Sequence, residues 1–121
     1  MTKKFAVLAI LSMFILGLAA FAADSNFGVG KTRTITFLNE TKVGDVVLHS
    51  GEYKVQHLME GDVHTLVFKS IENNKEVARV KCSMQKLDKK SDRTMSEIST
   101  VDNQRVLKGL IFSGDDYRHT F

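Results

Sequence analysis

The chain has no proline, no tryptophan and one cysteine, Cys82, in 121 residues. A single cysteine excludes an internal disulfide, so a folded core must hold without a cross-link. Cys82 is then a buried, small apolar side chain, the reading we prefer, or a thiol free to pair with another chain. Without proline, chain reversals fall to glycine, asparagine and aspartate. No Gly-x-Ser-x-Gly turn and no His-Glu-x-x-His pair occurs, so neither a nucleophile elbow nor a zinc-protease helix is written in the chain. Gly28-Val29-Gly30-Lys31-Thr32 ends like a phosphate-binding loop. Ser25 stands where that loop needs its first glycine, and the strand-forming Thr34-Ile35-Thr36-Phe37-Leu38 follows instead of a helix. The chain therefore calls for no cofactor and is not expected to be an enzyme.

Basic character is also scarcer than it first looks. The full chain carries 17 Lys+Arg against 14 Asp+Glu. Lys3 and Lys4, however, precede an apolar stretch from Phe5 to Leu18, and Ala20-Phe21-Ala22 then offers the small residues of a signal-peptidase site. Those three parts make residues 1–22 a secretory signal peptide. The polar Asp24-Ser25-Asn26 that follows favours cleavage over an uncleaved anchor, although the apolar stretch approaches the roughly 20 residues a spanning helix needs. Loss of the leader removes two lysines and leaves 15 basic against 14 acidic side chains, a formal charge of +1. The pI near 9.1 thus belongs partly to the leader. No basic run is interleaved with aromatics, and Lys86-Leu87-Asp88-Lys89-Lys90 reads as a solvated loop. Nucleic acid is not an expected partner. No later apolar run spans a bilayer, and no cysteine at the cleavage site offers a lipid anchor.

The 99 residues left of the 121 suffice for one domain with one core. Asp24 to Lys31 is polar and Gly-containing, so residues 23–31 read as a flexible lead-in. Short β-type runs follow at close spacing: residues 32–38, 43–48, 52–58, 63–69, 75–87, 93–101, 105–112 and 117–121. Such spacing predicts an all-β domain over residues 32–121, a single antiparallel β-sandwich of about 7–8 short strands. A helical turn at Asp102–Leu107 is the competing reading of that segment. Asp115 and Asp116 follow Gly114 and read as turn residues, too few oxygen donors for calcium. The terminal Tyr117, His119 and Phe121 alternate as in the last strand of an outer-membrane barrel. The chain is too short and its strands too charged for one, so a closing strand with a buried terminal phenylalanine is expected.

Parity fixes one sheet face. A four-residue loop at Met59–Asp62 would pair Leu58 with Val63, Val55 with Leu66 and Tyr53 with Phe68. A three-residue loop at Glu72–Asn74 would pair Phe68 with Ala78 and Leu66 with Val80. Tyr53, Val55, Leu66, Phe68, Ala78 and Val80 then share a face, and a one-residue slip would mix lysine and arginine into it. The same register sets His57 opposite His64 and His64 opposite Cys82. Imidazole and thiolate suit zinc or copper, so His57, His64 and Cys82 are the candidate metal ligands. Three adjacent strands, however, hold the outer two members of a straight row nearly 10 Å apart. No spacing places His49 or His119 nearby as a further donor. Partly buried histidines beside a buried cysteine are therefore the expected role, and a metal site is the alternative.

Leu48-His49-Ser50-Gly51-Glu52-Tyr53-Lys54-Val55 has the form L-x-x-G-x-Y-x-V. With His57, Glu60-Gly61-Asp62, His64, Phe68, Glu76–Val80, Arg105-Val106-Leu107, Phe112, Gly114-Asp115 and Phe121, it resembles a group of small, signal-peptide-bearing bacterial exported β-sandwich proteins of unknown function. The resemblance implies a β-sandwich that is periplasmic or secreted. It brings no activity and no catalytic residue. The expectation is an exported, non-enzymatic binding or structural module of the bacterial cell envelope, with an envelope or extracellular partner. The alternative is a zinc or copper protein built on His57, His64 and Cys82.

Overall fold

The computed structural model describes residues 27–121. The expected signal peptide at residues 1–22 and the start of the lead-in, residues 23–26, lie outside the described residues. Nine strands follow in order: β1 (Thr32–Phe37), β2 (Thr41–Val43), β3 (Val46–Leu48), β4 (Gly51–Glu60), β5 (Val63–Ser70), β6 (Glu76–Lys86), β7 (Met95–Val101), β8 (Gln104–Ile111) and β9 (Tyr117–Thr120). Among the described residues there is no helix, and the all-β class matches the strand periodicity. The expected run at residues 43–48 is instead two three-residue strands around Gly44-Asp45. The competing helical turn at Asp102 is a two-residue hairpin between β7 and β8. Asp102 and Asn103 both take positive φ, 51° and 63°, as a type I′ turn requires.

The strands form one mixed sheet in the order β1-β4-β5-β6-β9-β8-β2-β3, with β7 also on β8. A purely antiparallel arrangement is corrected at one place: β2 runs parallel to β8, Lys42 against Val106. The β4–β5 register also differs from expectation. The strands continue through Met59 and Glu60, and only Gly61-Asp62 turns, with Gly61 at φ 62°. Val55 therefore faces Phe68, His57 faces Leu66, and Tyr53 faces Ser70. Two-residue turns match the strand twist better than four-residue ones. Because the shift is by two, parity survives, and the expected face is the inner one. Across β5 and β6 the expected pairs Phe68–Ala78, Leu66–Val80 and His64–Cys82 all form, and a bulge after Phe68 absorbs the irregular loop.

Residues from both ends of the sheet share one core. Ile35 and Phe37 of β1, Val55 of β4 and Leu66 and Phe68 of β5 pack with Val43 of β2, Leu48 of β3, Leu107 and Leu110 of β8 and Phe112. The long strand β6 makes this possible. Its residues up to Cys82 pair with β5, and Ser83–Lys86 pair with β9. β6 thereby links the β1-β4-β5 side of the sheet to the β9-β8-β2-β3 side, and side chains from both sides meet in the core. Cys82 is the last residue before the change of partner.

Candidate metal centre

Cys82 belongs to the core at that change of partner, is 8% exposed and is a free thiol. His119 arrives on β9, which pairs Met84 with His119. Met84 lies two residues beyond Cys82 on the same face, so His119 sits diagonal to Cys82. The imidazole Nδ1 is 3.6 Å from Cys82 Sγ. His57 comes from β4 on the other side, and its ring centroid is 5.0 Å from that of His119. A flat sheet would hold β4 and β9 about 14 Å apart, three strand spacings. The two rings meet all the same, so the sheet curves between β4 and β9. Donor atoms of His57, Cys82 and His119 all lie within 4.8 Å of one another.

His64 belongs to the same cluster but to its edge. It faces Met59 rather than His57, yet its Nδ1 reaches His57 Nε2 diagonally at 2.8 Å. It also faces Cys82 across β5 and β6. His49, the other histidine weighed as a donor, is elsewhere: its side chain is 91% exposed beside Glu40. Of the three sequence candidates, the structure thus groups His57 and Cys82 tightly, leaves His64 bonded to His57, and adds His119.

The surroundings keep these groups uncharged. Burial pushes His119 down to about 4, helped by the neighbouring His57. Burial first, and then His64, holds His57 below the usual imidazole range, and burial does the same to His64. Burial pushes the Cys82 thiol up to about 11. Neutral imidazoles are ready donors, whereas the thiol must surrender its proton to an incoming ion.

A polar wall closes the other side. Arg33 donates to both oxygens of Asp115, at 2.9 and 3.0 Å, and lies 5.2 Å over the Phe112 ring. Asp115 is 7% exposed, so it is more than the turn residue its sequence context suggests. Its partner is 82 positions away, which no local pattern announces. Burial and then Asp115 raise the Tyr117 phenol. Between this wall, His57 and His119 lies a cavity of about 10 Å³, room for about one water. Phe27 covers the cluster, edge-on to His64 at 5.9 Å and to Tyr117 at 5.6 Å. The following residues are held by Gly30 N–H donating to the His57 carbonyl and His57 N–H donating to the Lys31 carbonyl. Gly28 has φ 73°, and a Cβ there would collide with the Tyr117 hydroxyl, so glycine is needed for the cover to lie this close.

No family model, no curated protein and no solved structure matches this chain.

Proposed function

We propose that the chain is an exported, non-enzymatic β-sandwich binding module of the bacterial envelope, and that it binds a zinc or copper ion through His57, Cys82 and His119. The observation that carries the metal reading is the convergence of one thiol and two neutral imidazoles from three strands within 4.8 Å. Zinc and copper take this donor set. His64 fits as the partner that orients His57, the usual companion of a ligating histidine. The sandwich reading is supported by the meeting of side chains from β4 and β9 and by the single core shared by both ends of the sheet. Export is supported by Lys3-Lys4, the apolar stretch and Ala20-Phe21-Ala22. The resemblance to small exported β-sandwich proteins points the same way.

Metal titrated into chelator-treated protein is the test. At a hundredfold excess over its dissociation constant, a bound ion stabilises the fold by about 2.7 kcal/mol. The melting temperature of the wild type should rise accordingly. His119→Ala and His57→Ala should lose the rise, and His49→Ala should keep it, because His49 is exposed and apart. An equal rise in all variants, or none in the wild type, contradicts the reading.

A further inference from the structure

We propose that the ion held at this centre is copper(I), bound three-coordinate by His57, Cys82 and His119 in preference to zinc. This rests on the metal-binding reading above and narrows it.

Donor spacing is the first argument. Three donors converge, and His64 is not one of the three. A trigonal ion with bonds of 2.0–2.3 Å needs donors about 3.5–4 Å apart. Cys82 Sγ and His119 Nδ1 already stand 3.6 Å apart. Three atoms within 4.8 Å of one another therefore need only a small contraction around a central ion.

Charge is the second. When the ion binds, the Cys82 proton leaves to solvent, and the thiolate brings one negative charge to two neutral imidazoles. A monovalent ion makes the site neutral, and a divalent ion leaves it at +1. The site cannot spread that charge into water: His119 is 1% exposed, His57 4% and Cys82 8%. Arg33 and Asp115, the ionised groups that act on both histidines, already neutralise each other through two bonds. An uncompensated buried charge is penalised heavily, so the low-charge ion is favoured. The third argument is a second sulfur, since thiolate alone suits copper(I) and zinc alike. Met84 stands on the same face as Cys82 and opposite His119, so the flank of the site carries a second soft sulfur-bearing residue.

The experiment uses metal-free, reduced mature protein. Copper(I), supplied on a chromophoric chelator of known affinity, is offered with and without equimolar zinc sulfate. One equivalent should leave the chelator, and zinc should not displace it. Cys82→Ser, an isosteric change that keeps the core filled, should weaken copper(I) by more than about 100-fold. His49→Ala should change nothing. Zinc bound as tightly as copper at the same three residues overturns the copper assignment and leaves the metal centre standing. Binding of neither ion overturns both. Copper affinity unchanged in folded Cys82→Ser also overturns the assignment.

Discussion

Phe68→Ala is expected to cost about 3–5 kcal/mol in a denaturant melt, the range for removing a large aromatic from a core. Phe68 is fully buried. It pairs with Val55 on one side and Ala78 on the other, and its ring stacks at 6.4 Å on Phe37. Those contacts join β1, β4, β5 and β6, so the cavity left behind cannot collapse without moving four strands. Leu38, at 85% exposure, is the matched control, and Leu38→Ala should stay within about 0.5 kcal/mol. A Phe68→Ala cost below about 1 kcal/mol would mean that the inner face has been assigned to the wrong side of the sheet.

Metal-free protein is expected to lose stability on acidification through His119 before most carboxylates titrate. The folded His119 sits at about 4 against an ordinary 6.5. Its folded pKa is lowered, so the unfolded chain binds the proton more readily. The contribution is therefore complete above pH 6.5 and fades as pH falls toward 4. It amounts to about 3 kcal/mol over that window, at 1.36 kcal/mol per unit. His57 and His64 are lowered in the same direction and add to the loss. Glu76, Glu97 and Asp116 are held below the carboxylate range by Arg79, Arg118 and Lys86, so their contributions disappear only at lower pH. Urea melts of chelator-treated protein at pH 7 and pH 4.5 measure the effect. His119→Gln should flatten the difference by about 2 kcal/mol or more. An unchanged difference would place the acid sensitivity elsewhere.

The inner face of the central sheet was legible because parity is a local property. Alternation in residues 52–58, 63–69 and 75–87 determines which side chains share a face, and a loop that is wrong by two residues does not disturb it. The same robustness brings His57 to His64, though diagonally through a two-residue turn and not directly across a longer one. The division of one expected run into β2 and β3 and the parallel β2–β8 contact were not legible, since pairing between distant segments leaves no periodic trace.

The metal centre was half legible. A straight row of His57, His64 and Cys82 argues against an ion, because flat strands hold the ends apart. That argument fails because the sheet is not flat and brings His119 of β9 to His57 of β4. The alternation Tyr117–His119–Phe121 does place His119 on one face of the last strand. Only the tertiary pairing of β9 with β6 says that this face looks at Cys82. The Arg33–Asp115 pair is hidden for the same reason, its members being near the two ends of the domain.

Anomalous diffraction from crystals of the copper-loaded protein, collected at the copper edge, tests the centre most directly. The expected result is one strong peak within about 2.0–2.3 Å of a nitrogen of His57, a nitrogen of His119 and the sulfur of Cys82. A peak at His49 or elsewhere on the surface, or no peak between those three side chains, would contradict it.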